Sequence, residues 1–217
     1  KLFLLRPPQV ADVRKSLLPV IDEARRAGIR QIAYLSIVGA QRVPITPHAR
    51  VERHLAGAGV PYTLLRAGFF MQNLLTTHAQ DLREHGEIFV PAGRGRLALV
   101  DTRDVAAVAA RALLDEGHAG QAVDLTGPDS LDFHEVAAIF TEVLGRSIRY
   151  PEPSPLRFAA RWARRGTPLS FVAVMTAIYL PTYFRLTGEV TPDVGRILGR
   201  PPATLRRFVE EHRARWT

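Results

Sequence analysis

Three short segments able to do chemistry each follow an apolar run: Arg6-Pro7-Pro8, Ser36-Ile37-Val38-Gly39 and Arg66-Ala67-Gly68-Phe69-Phe70. Ser36 offers a hydroxyl. His48, further on, offers an imidazole whose unperturbed pKa of about 6.5 lets it donate or accept near neutrality. Together these are groups for hydrogen bonding and proton transfer. Other chemistries lack their residues. With no Cys in the chain there is no thiol nucleophile and no Cys-ligated metal. His48 and His54 are spaced poorly for one helical face, no H-E-x-x-H occurs, and His134-Glu135 has no second His nearby, so no metal site is expected. Ser36 lacks the glycine offset of a nucleophile elbow.

Gly93-Arg94-Gly95-Arg96-Leu97-Ala98 spells G-x-G-x-x-A. That fingerprint holds a pyrophosphate only when a strand precedes it and a helix follows, because the helix N-terminus and freed amides meet the phosphates. Here the apolar runs Ile88–Pro91 and Leu97–Val100 flank it, so a hairpin turn is expected.

The elements that would position these groups follow from periodicity. Short apolar runs at Leu2–Leu5, Gln31–Ser36 and Tyr62–Arg66 predict strands. Between them, helices are predicted over Val10–Ala27, closed by Gly28, and Thr46–Ala56, closed by Gly57-Ala58-Gly59. Phe70–His85, Asp101–Leu114 and Asp132–Leu144 read as further helices, Gln121–Leu125 and Ser147–Tyr150 as further strands, and helices fill the remainder after Pro151–Pro155. Alternation of this kind predicts an α/β fold, a Rossmann-like parallel sheet with helices on both faces. Ligands bind such sheets at the carboxyl ends of the strands, where the three chemical segments lie. The expected division is a nucleotide-binding domain over 1–125 and a smaller α-rich, substrate-binding lobe over 126–217.

Composition narrows the partners. The chain has 217 residues, 29 basic and 21 acidic, for a net charge of +8, and its only lysines are Lys1 and Lys15. A basic balance suits nucleic acid or an anionic cofactor. No basic run carries interleaved aromatics, and Arg206-Arg207 sits beside Glu210-Glu211 on a helical stretch, so solvated helix faces are expected and nucleic acid is not. The apolar run Leu169–Phe184 is shorter than the ~20 residues that span a bilayer. Met175, Tyr179 and Tyr183 recur within it at four-residue spacing and suit one wall of a pocket for a flat apolar ligand. With no secretory signal visible, a cytoplasmic protein is expected.

The strand-end segments sit inside longer patterns. Ala33-Tyr34-Leu35-Ser36-Ile37-Val38-Gly39-Ala40, His48-x-x-x-Glu52-x-x-Leu55, the run from Gly59 to Asn73, Val100-Asp101-x-Arg103-Asp104-Val105-Ala106, Leu125-Thr126-Gly127-Pro128 and Leu198-Gly199-Arg200-Pro201-Pro202 follow one another in order. In these the chain closely resembles the NmrA-like family of atypical short-chain dehydrogenases, over essentially its whole length. The resemblance implies a cofactor, NADP or NAD, and hydride transfer to a small hydrophobic substrate such as a quinone. As the alternative it implies a non-catalytic NAD(P) sensor with a protein partner; a homo-oligomer is also compatible. Residues carried over are Ser36 and His48 as catalytic, with Arg6, Pro7, Ser36, Ile37, His48, Ala67, Gly68, Phe69, Phe70 and Asn73 at the cofactor.

The resemblance also departs from its parent pattern. Where short-chain dehydrogenases carry a proton-passing Tyr and a Lys four residues later, this chain has Pro44 and His48. His48 then either binds a ribose hydroxyl or protonates a reduced substrate, or merely opens a helix and pairs with Glu52. Lys1–Leu5 resembles the family's fourth strand, so some 60–70 preceding residues with the pyrophosphate loop are expected, at about 30 or more residues per βαβ unit. In that topology Leu2–Leu5 pairs with the family's first strand, so a preceding segment or a partner chain is expected to cover what would otherwise be an exposed apolar edge.

Overall fold

The computed structural model describes residues 1–7, 10 and 12–217. Pro8 of the first strand-end segment, and part of the loop after it, lie outside the described residues. The chain divides into two compact units, one of Lys1–Gly68, Thr102–Thr126 and Thr191–Pro202, the other of Phe69–Asp101, Gly127–Val190 and Ala203–Thr217. It changes unit at Thr126/Gly127, beside the expected boundary, and at four other points.

The first unit holds four parallel strands, β1 (Leu2–Leu5), β2 (Ile32–Ile37), β3 (Tyr62–Ala67) and β6 (Gln121–Leu125), in the order β1-β2-β3-β6. Leu2, Ile32 and Tyr62 are in register, as are Leu4, Tyr34 and Leu64. Side chains of even number therefore share one face across these strands. The edge strand β1 leaves Phe3 and Leu5 exposed, at 40% and 46%. The single helix expected before Gly28 is two, α1 (Val13–Ser16) and α2 (Leu18–Arg26). Pro19 explains the break, since it lacks the N–H that would continue α1 across Leu17. Helix α3 (Pro47–Gly57) begins where Thr46 accepts a bond from the Ala49 amide at 3.2 Å and Pro47 takes the first helical position. Val51 and Leu55 of α3 pack with Ile21, Ile32 and Tyr34 in the core. Helix α4 (Thr102–Leu114) meets α8 (Asp193–Leu198), and Asp193 accepts from the Asp124 amide at 2.9 Å, which returns Thr191–Pro202 to this unit.

In the second unit β5 (Leu97–Val100) pairs parallel with β4 (Phe69–Phe70) and antiparallel with β7 (Ser130–Leu131). The expected hairpin is absent: Ile88–Pro91 forms no strand, and its polar groups go elsewhere. Tyr150 donates to the Val90 and Gly93 carbonyls, each at 3.2 Å. At Gly95 a Cβ would lie 1.7 Å from the Thr182 carbonyl oxygen, so the backbone approach requires glycine. The two glycines of the apparent fingerprint thus serve packing: the Tyr183 ring lies over Gly93.

The helix expected over Phe70–His85 is replaced by β4, a tight turn at Met71–Leu74 and a wide π-type turn at Asp81–His85. The expected strand at Ser147–Tyr150 is reduced to one bridge between Glu87 and Arg149. Helices α5 (Phe133–Leu144), α6 (Pro155–Arg164), α7 (Leu169–Tyr183) and α9 (Leu205–Glu211) complete the unit. Helix α5 is capped by Asp132 and Glu135 acting reciprocally and closed by left-handed Gly145. Phe133, Phe140, Phe208 and Trp216 fill the core between α5 and α9. Tyr179 is buried there too, and Met175 is buried in a separate cluster with Phe89 and Phe158, so both are part of the packing and not an exposed wall.

Candidate active site

The shared face of β1, β2 and β3 assembles a polar cluster at its carboxyl end. Tyr34 and Ser36 lie two apart on β2, and His48 and Glu52 one turn apart on α3, so each pair projects from one face of its element. Arg66 stands opposite Ser36 in the register. Arg6 lies one residue beyond β1.

Two linked hydrogen-bond sets result. Glu52, 6% exposed, accepts from Arg66 through both guanidinium positions, Nε at 3.1 Å and Nη2 at 2.8 Å. The Ser36 hydroxyl donates to the same carboxylate at 2.5 Å. This bidentate pair, with the hydroxyl, satisfies a buried charge that would otherwise be costly. Donating these bonds to Glu52 raises the Arg66 pKa further. The His48–Glu52 pair of the alternative reading does not form, because Glu52 is taken by Arg66 and Ser36.

His48 instead bridges Arg6 and Tyr34. Arg6 Nε–H donates to His48 Nε2 at 3.3 Å, and Tyr34 Oη lies 3.0 Å from His48 Nδ1. Since a guanidinium only donates, Nε2 is the acceptor and the ring proton sits on Nδ1, directed at Tyr34. Burial, reinforced by the Arg6 charge and opposed by Glu52, lowers the His48 pKa to about 4. Burial likewise raises that of Tyr34, the Arg6 charge opposing it. At neutral pH both are uncharged.

The remaining predicted residues are placed as follows. Pro7 is exposed beside Arg6 and its carbonyl accepts from the Val10 amide at 3.0 Å. Ile37 ends β2 with 41% of its surface exposed. Next to it, Gly39 has a left-handed backbone and open space where a Cβ would stand. Ala67 is buried at the end of β3, and the Gly68 amide donates to the Leu125 carbonyl at 2.9 Å. Phe69, Phe70 and Asn73 belong to the second unit. There the Phe69 ring lies 5.5 Å from that of Tyr179, and the Asn73 carbonyl accepts from the His78 amide. Asp101, just before α4, accepts from Gln72 at 2.8 Å, and Asp104 pairs with Arg200 at 2.7 Å. Tyr34, Glu52 and Arg66 were not among the predicted site residues, although the two-residue spacing on β2 already placed Tyr34 beside Ser36 and the four-residue spacing on α3 placed Glu52 beside His48.

A parallel α/β sheet with a cation and neutral proton carriers at its strand ends defines a nucleotide-binding class of protein. Within that class the sequence profile of the NmrA-like family matches residues 18–187, and the chain belongs to this family. It is 34% identical over 222 aligned positions to the NAD(P)H azoreductase of Xenophilus azovorans, covering 99% of this chain and 76% of the relative. The crystal structure of the NADPH-dependent quinone oxidoreductase QOR2 of Escherichia coli, complexed with NADPH, superposes with a TM-score of 0.88 at 29% identity, covering 96% of this chain and 75% of that one. The negative transcriptional regulator NmrA in complex with NAD shares the fold, with a TM-score of 0.75 at 19% identity, over 97% of this chain and 73% of its own.

Proposed function

We propose that this chain is an NAD(P)H-dependent oxidoreductase that reduces a quinone or a similar conjugated acceptor. The observation that carries this reading is the match over 99% of the chain to an NAD(P)H azoreductase. A nicotinamide nucleotide fits the residues present at the strand ends: a cation at Arg6, an exposed aliphatic face at Ile37 and an open backbone at Gly39. When bound, the reduced nicotinamide supplies the hydride; the protein supplies binding, orientation and exclusion of water.

On this reading Arg6, Pro7, Ile37, Ala67 and Gly68 hold the nucleotide, and Phe69, Phe70 and Asn73 are the residues that follow them in sequence. Residues 1–125 carry most of these contacts and 126–217 the acceptor's binding surface. His48 acts as a positioning residue, fixing the Arg6 guanidinium by accepting from its Nε–H. With its pKa held near 4, it is a poor proton donor at neutral pH. Ser36 keeps lone pairs for a ligand while its O–H donates to Glu52. A cytoplasmic setting, where nicotinamide nucleotides are abundant, belongs to the same proposal.

The second reading is a nucleotide sensor that binds a protein partner, favoured by Pro44 and His48 standing where a Tyr/Lys relay would be. Steady-state oxidation of NADPH and NADH against a panel of quinones and azo dyes separates the two. Acceptor-dependent oxidation is expected. Intact nucleotide binding with no oxidation by any acceptor would overturn the reductase reading and leave the sensor.

A further inference from the structure

Helix α7 contains no charged residue. It buries Val172, Met175, Tyr179 and Thr182, yet its other side is equally apolar, with Phe171, Val174 and Ile178 exposed at helical spacing. Leu169 before this stripe is 73% exposed, and Phe184 and Leu186 after it 64% and 70%. A surface helix ordinarily turns polar residues to water, and a contiguous exposed apolar patch marks an interaction surface.

Charge says what kind. From Pro153 to Gly188 the sequence holds five arginines and no Asp or Glu. Arg161 and Arg165 turn inward to Asp81, at 3.2 and 2.5 Å, and Arg161 also to Glu87. Arg157, Arg164 and Arg185 are exposed, and among the described residues none has a carboxylate partner.

We propose that this face docks on an anionic lipid bilayer, with the α7 stripe at the acyl boundary and Arg157, Arg164 and Arg185 at the headgroups. A bilayer presents anions and apolar chains in adjacent layers, which matches cations bordering an apolar stripe. A second copy matches poorly, since it would set the same uncompensated arginines against one another. No helix among the described residues is long and apolar enough to cross a membrane, so the attachment is peripheral. The inference does not depend on the reductase reading.

The test is co-sedimentation of the purified protein with phosphatidylglycerol vesicles and with phosphatidylcholine vesicles, alongside nucleotide binding to certify the fold. Binding to the anionic vesicles, weakened by salt, is expected. Phe171→Glu with Ile178→Glu should abolish it. Arg157→Gln and Arg164→Gln, which leave the apolar stripe intact, should each weaken partitioning about fivefold. Three results would overturn the proposal: no binding to phosphatidylglycerol by protein that binds nucleotide, binding unchanged in both sets of variants, or self-association that the Phe171/Ile178 variant abolishes.

Discussion

The protein contains two histidine–tyrosine pairs that look alike electrostatically and differ in every other respect. His48 with Tyr34 and His78 with Tyr179 both have the imidazole pKa lowered to about 4 and the phenol raised, burial being the largest cause each time. His78 and Tyr179 are 1% and 3% exposed, 2.6 Å apart, and ringed by Phe69, Phe133 and Phe158 around the tyrosine. The His78 Nδ1 has no hydrogen-bond partner among the described residues. His48 by contrast is only half-buried, uses both nitrogens, and is tied to Arg6 at the carboxyl end of a parallel sheet. A perturbed pKa therefore reports burial in both places and function in neither by itself. What separates the pairs is location on the sheet and a cation within reach of a ligand.

The largest effect should come from the strand-end side. Glu52→Ala leaves the partly buried Arg66 guanidinium without its carboxylate and should cost about 3–5 kcal/mol in denaturant unfolding. Ser36→Ala loses a single bond to that carboxylate and should cost about 1.5–3 kcal/mol.

Next comes pH. The unfolded histidines protonate near 6.5 and the folded ones near 4, so the unfolded chain binds more protons between these values. Stability is then fully present above about pH 6.5 and falls as pH drops through 4. For fully buried His78 the loss amounts to about 3 kcal/mol. Chemical unfolding across this range should show it, and His78→Phe should flatten the dependence by that share.

The smallest effect distinguishes the pairs most finely. Arg6→Gln removes a charge that lowers the His48 pKa without removing the burial that dominates it. An NMR titration should find His48 shifted up from about 4 yet still below 6.5, with His78 unmoved.

How much of this was legible depended on the range of the interactions. Strands β2, β3 and β6 and helices α3 and α5 lie within about a residue of where apolar periodicity and caps put them, because those signals are local. Tyr34 with Ser36 and His48 with Glu52 were readable from spacing alone. That Glu52 turns to Arg66 was not, since it depends on the register of β3 beside β2. The segment 86–100 misled for the same reason. Its composition suits a hairpin, but Tyr150 and the Thr182 carbonyl, both distant in sequence, settle its backbone.

The central claim, that the strand-end pair faces the nucleotide and the sealed pair does not, is tested most directly by NADPH affinity in two matched variants. His48→Phe removes the acceptor of the Arg6 Nε–H and should weaken NADPH binding about tenfold, the worth of one hydrogen bond to a charged group. His78→Phe should leave the affinity unchanged while altering stability. Equal affinities in His48→Phe and the unaltered protein, or a loss confined to His78→Phe, would contradict the account.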